Sequence, residues 1–73
     1  MSELRFFLDD SDPQCIAYFR DGHIPPLKAK ISMNIKGVGD VPMQVTSVHY
    51  TYVPSDNGSG SSIATIYVKD LRK

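Results

Sequence analysis

Residues 27–36 read LKAKISMNIK, in which Leu27, Ala29, Ile31, Met33 and Ile35 alternate without a break with Lys28, Lys30, Ser32, Asn34 and Lys36. Period-two alternation separates two classes of side chain onto the two faces of a strand. On a helix, residues sharing a face recur every three or four positions, so this pattern would smear around the cylinder. The same period runs through most of the chain, and no stretch of about a dozen residues carries a helical one. The sequence therefore predicts an all-β fold.

Turn chemistry divides the chain into five strands. Leu4, Phe6 and Leu8 alternate with Arg5 and Phe7, and Asp9-Asp10-Ser11-Asp12-Pro13 ends that strand. Cys15–Phe19 is a second strand, closed by Arg20-Asp21-Gly22. Pro25-Pro26 precludes regular pairing and leads into the third strand, 27–36, after which Gly37-Val38-Gly39-Asp40 turns the chain. In MQVTSVHYTYV (43–53), Met43 and Val45 share a face, whereas Val48, Tyr50 and Tyr52 continue it after an offset of three. Thr46-Ser47 is thus expected to form a bulge, the device by which small barrels turn a corner. Residues 63–68 form the fifth strand. Matching apolar side chains across the last hairpin sets Val48 opposite Val68 and Tyr50 opposite Ile66, with an odd-length loop and Gly58 near its apex. His49 then faces Tyr67, and Thr51 faces Thr65, on the outward side. The expected core is Leu4, Phe6, Ile16, Tyr18, Ala29, Ile31, Met33, Val45, Val48, Ile66 and Val68. The expected architecture is one domain over residues 1–73: a small five-stranded barrel of SH3-like or OB-like kind with a bent fourth strand.

Size and composition narrow the function. A chain of 73 residues buries only about 60% of the surface its unfolded form exposes. Small domains compensate with disulfides, metals or self-association. The single cysteine, Cys15, excludes an intramolecular disulfide, and Cys15, His23 and His49 lack the paired spacing of a structural zinc site. Self-association remains as the expected remedy. Eight basic residues balance eight acidic ones, which argues against the broad basic footprint of a nucleic-acid binder. No apolar run approaches the roughly 20 residues of a membrane span, so no membrane partner is expected. MSELRFF lacks the basic-then-apolar order of a signal peptide. With its free thiol, the chain is expected to be a complete, soluble polypeptide of a reducing compartment, the cytoplasm.

RFFLDD near the start and QVTSVHYTYVPSDNGSGSSIATIYVKDL at the end resemble a group of short phage and bacterial small β-barrel proteins. These combine an N-terminal strand hairpin with a C-terminal hairpin of V-x-S-V-x-Y type, which here reads VTSVHY. The resemblance covers most of the chain as a pattern of strands and includes no catalytic motif. It implies a small barrel of phage or mobile-element origin, acting by stoichiometric binding to inhibit or sequester a host factor. The compartment would then be the host cytoplasm.

The candidate chemistry is that of surfaces. Asp9, Asp10 and Asp12 lack the ligand spacing and glycine of a calcium loop. Gly37-Val38-Gly39 lacks the third glycine and following helix of a dinucleotide site. No serine or cysteine lies in a nucleophile motif, so neither an enzymatic role nor a cofactor is expected. Lys28, Lys30 and Lys36 form an anion-facing stripe whose simpler reading is protection of a sheet edge; Arg5 and Lys69 would extend it in some strand orders. His49, Thr51, Thr65 and Tyr67, with Phe7, form the preferred partner-binding patch, because tyrosine offers large contact area with a polar tip. The expected partner is a protein or an anionic small ligand, with a homo-oligomer also open. The alternatives are a nucleic-acid-binding barrel using the lysines and a structural component of a virion assembly.

Overall fold

A computed structural model of the protein describes residues 2–72. It contains five strands and, among the described residues, no helix: β1 (Ser2–Leu8), β2 (Cys15–Phe19), β3 (Lys30–Ile35), β4 (Gly39–Val53) and β5 (Ser61–Asp70). They form one sheet in the order β2-β1-β5-β4-β3. The β1–β5 pair is parallel, from Ser2 opposite Ser62 to Leu8 opposite Val68, and the other three pairs are antiparallel. The all-β, five-strand expectation holds, with the second strand at its expected limits.

The sheet curls into a half-barrel and does not close. Its outer strands, β2 and β3, make no close approach to each other. The connection 20–29 runs between them, tied to β4 by Lys28 N–H donating to Val45 O and Val45 N–H donating to Ala29 O, each at 2.9 Å. The concave side holds the core: Leu4, Phe6, Met33, Val41, Met43, Val45, Ala64, Ile66 and Val68. Ile16, Ala29, Ile31 and Val48 pack half-buried against it. Tyr18 does not belong to the core; it is 50% exposed. Phe6 pairs with Ala17, so Ala17 and Phe19 turn inward and Tyr18 outward. Phe19 packs edge-on against the Phe6 ring at 5.7 Å.

β4 organises the molecule. Its first half pairs with β3 and its second with β5, overlapping at Met43 and Gln44. The expected bulge lies between Val45 and Ser47, where the Thr46 hydroxyl donates to Tyr67 O at 3.1 Å. The register differs from expectation by two residues: Val48 faces Ile66, Tyr50 faces Ala64, and Val45 faces Val68 across the bulge. The expected register would leave Val45 near Asp70, whereas the observed one pairs apolar residues on both sides of the bulge. A two-residue slip preserves the faces, and the loop 54–60 has the odd length expected, with Gly58 at φ +83°. The strand also begins earlier than its sequence suggests. Val41 is fully buried, and Pro42, which has no N–H to give, accepts from Leu71 N–H instead. Conversely, β3 begins only at Lys30, because Lys28 adopts φ +69° and breaks the alternation.

Past Val48 the β4–β5 hairpin runs beyond the core. Tyr50, Tyr52 and Val53 are 48%, 72% and 48% exposed. The molecule measures 47 × 22 × 22 Å with a radius of gyration of 13.5 Å, against about 11 Å for a compact chain of this length. It is therefore a small core with a projecting arm.

Candidate functional site

The parallel β1–β5 pair assembles the convex face. One row across the sheet reads Cys15, Phe7, Tyr67, Ser47, and the next reads Tyr18, Arg5, Thr65, His49. The expected patch residues therefore share a face, but not in the expected pairs. His49 lies opposite Thr65 and diagonal to Tyr67, and Thr51 lies opposite Ile63, one row further along the arm. Phe7 and Tyr67, distant in sequence, stack at 5.7 Å with planes 30° apart. His49, Thr65 and Tyr67 line a shallow depression of ≈ 510 Å³ with Ser47 and Val48. His49 and Thr51 are exposed, whereas Phe7, Thr65 and Tyr67 are half-buried by their neighbours. Tyr18 and Arg5 join this face through the parallel β1–β5 pairing, which the sequence does not reveal. Arg5 is held by Glu3 at 3.1 Å.

Two of the three stripe lysines meet, and the third stands apart. Lys30 pairs with Gln44, which pairs on its other side with Lys69. Gln44 Nε2 also donates to Lys28 O at 3.1 Å, and Lys28, Gln44 and Lys69 line one depression of ≈ 280 Å³. Lys69 thus extends the group and Arg5 does not. Lys36 sits in the turn after β3, about 20 Å along the strand from Lys30 at 3.3 Å per residue. Asp9, Asp10 and Asp70 border Lys69 on its other side, which confines the positive potential. The Asp70 carboxylate raises the pKa of Arg72 by hydrogen bonding and charge. β3 is an outer strand of the sheet, where lysines discourage unwanted pairing.

Two further features lie outside the expected sites. On the concave side, Leu4, Phe6, Phe19, His23, Ile31 and Met33 line an open apolar groove of ≈ 390 Å³. Beyond its end, Tyr50 and Tyr52 stack at 6.4 Å. The second feature is a free edge. β3 accompanies β4 only as far as Gln44 and the 28–29 segment takes Val45, so among the described residues no strand lies beside 46–53 on that side. TSVHYTYV contains no Asp, Glu, Lys, Arg or Pro, and that run is the sequence signal for this edge.

Cys15 is free and exposed. Among the described residues no three His, Cys, Asp or Glu side chains are grouped to hold a metal ion, and no helix is long and apolar enough to cross a membrane. No family model, curated protein or solved structure matches the chain.

Proposed function

We propose that the protein is a non-enzymatic binding module that engages a protein partner through its convex face. One observation carries this reading: two adjacent cross-strand rows from four strands present Tyr18, Phe7 and Tyr67 beside Arg5, Thr65 and His49. Aromatic area interleaved with a cation, an imidazole and a hydroxyl is the composition of interface hot spots. The curled sheet and bulged fourth strand support the finer assignment to the small barrels of SH3-like or OB-like kind. The resemblance to small phage proteins supports the biological form of the proposal, stoichiometric sequestration of a host factor in the host cytoplasm.

The test is capture of a specific partner by the wild-type chain, compared with a Tyr18→Ala/Tyr67→Ala double variant shown to be folded by circular dichroism. Loss of that partner, corresponding to more than about 1 kcal/mol for an anchor residue, supports the convex face; undiminished capture removes it. The grouping of Lys28, Lys30 and Lys69 around Gln44 favours a second reading, an anion site for a phosphate-bearing ligand or nucleic acid. Three phosphate contacts on duplex DNA give a slope of about −3 in log K against log salt. A slope near zero with any nucleic acid bound rejects that reading.

A further inference from the structure

We propose that the free edge of β4 is the pairing surface of a homodimer, in which residues 47–53 of two copies run antiparallel about a two-fold axis at Tyr50.

The three exposed edges of this sheet differ in how they are protected. β2 is five residues long and paired through a bulge. β3 carries Lys30 and is flanked by Lys28 and Lys36. Short length, irregular pairing and lysines are the ordinary means of keeping an edge from pairing. Past the bulge at Thr46, the β4 edge over residues 47–53 has none of them. It is longer, uncharged and rich in the β-branched and aromatic residues that favour strands, and a row of its backbone N–H and C=O groups faces outward. Its limits are set on both sides. The backbone of Val45 is occupied by Lys28 and Ala29, and Pro54 takes the chain out of the sheet.

The segment complements itself. A two-fold axis normal to the sheet keeps side chains on their own faces, so only same-face residues can oppose each other. The midpoint of 47–53 is Tyr50. About that point Tyr50 meets its copy, and Val48 meets Tyr52 on the concave side. His49 meets Thr51, and Ser47 meets Val53, on the convex side. Each concave pair is apolar or aromatic, and no formally charged side chain opposes another. The Tyr50–Tyr52 stacks of the two copies would form one four-ring cluster. These rings are the largest exposed apolar side chains of the arm, and the arm projects clear of the core, so the two cores do not compete for space. The partner strand would lie in line with β3, completing the layer that β3 leaves half covered. A second copy is favoured over a foreign strand because one register satisfies both faces of both chains. It also supplies the stabilisation that a domain of this size otherwise lacks.

The register makes a covalent test possible. Directly opposed residues of an antiparallel pair have Cα atoms about 4.5–5.5 Å apart, inside the range that a disulfide spans. In a Cys15→Ser background, Tyr50→Cys should oxidise to a covalent dimer under native conditions. Tyr52→Cys should not, because its own copy lies about 13 Å away along the strand. Wild-type chain should sediment with the mass of two chains, and Tyr50→Lys with the mass of one while retaining its circular dichroism spectrum. Mixing Tyr50→Lys with Tyr50→Glu should restore the double mass, which a merely unfolded variant cannot do. A wild-type monomer well above micromolar concentration overturns the proposal. So does equal cross-linking at 50 and 52, or a mixture that stays monomeric. A foreign protein that protects residues 47–53 while the chain alone stays monomeric would assign the edge to that partner instead. The mass and cross-linking readouts rest on Tyr50 and Tyr52, which lie on the concave side, so they can fail without touching the partner-binding reading.

Discussion

Ile66 sits at the centre of the core. It is fully buried, lies on β5 between β1 and β4, and faces Phe6 on one side and Val48 on the other. Truncation to Ala removes three carbons at a point where backbone on both sides is locked in the sheet, so the cavity cannot collapse. Such substitutions cost about 2–5 kcal/mol, and the rigidity of this site points to the middle, about 3–4 kcal/mol. A chain of this length has roughly 4–11 kcal/mol in total at the usual 0.05–0.15 per residue. Ile66→Ala should therefore lose a large part of its stability, and Ile66→Val about 1 kcal/mol. At roughly 4–8 °C per kcal/mol for a domain of this size, Ile66→Val should melt about 4–8 °C lower and Ile66→Ala more than about 12 °C lower. Urea titration gives the free energies and thermal unfolding the melting temperatures, both followed by circular dichroism at one fixed protein concentration. Tyr18→Ala is the internal comparison, expected within about 0.5 kcal/mol of wild type. Equal losses for Ile66→Ala and Tyr18→Ala would refute the inward and outward assignment of β5 and β2.

Val41→Ala should cost about 1–3 kcal/mol in the same titration, because Val41 is core although its neighbours Gly39 and Pro42 are turn-formers. Gly60→Ala should destabilise by more than about 1 kcal/mol despite its exposed loop, since a Cβ there would meet Val53 O at 2.7 Å and Pro54 Cα at 3.3 Å, a clash with backbone that no rotamer relieves. Lys28→Gly should raise the melting temperature by a few degrees, because φ +69° costs a side-chain-bearing residue about 1 kcal/mol that glycine does not incur.

Much of this structure was legible where polar residues mark a face. The lysine alternation located β3, the three-residue offset located the bulge, and the apolar matching preserved the faces of the last hairpin even though it missed the register by two. Matching Val48 and Tyr50 alone to the fifth strand misses the register; Val45 meeting Val68 across the bulge decides the pairing. In CIAYF every residue is apolar or aromatic, so period two cannot say which side faces inward, and Tyr18 went to the wrong face. Val41 was hidden by Gly39 and Pro42. The parallel β1–β5 pairing joins the two ends of the chain and has no local signature. That pairing decides which residues share the convex face, so Phe7 against Tyr67 and Arg5 beside Thr65 emerge only from the fold. The free edge was visible as an uncharged run, but its exposure depends on where β3 ends.

Amide hydrogen exchange across residues 46–53, measured over a dilution series, tests the account most directly. The backbone groups of a strand point alternately to its two neighbours. Amides facing β5 should be protected at every concentration, and those facing outward should gain protection as concentration rises. Outward amides that exchange rapidly at all concentrations would contradict the self-pairing edge. Uniformly rapid exchange of every amide from 46 to 53 at all concentrations would contradict the hairpin arm itself.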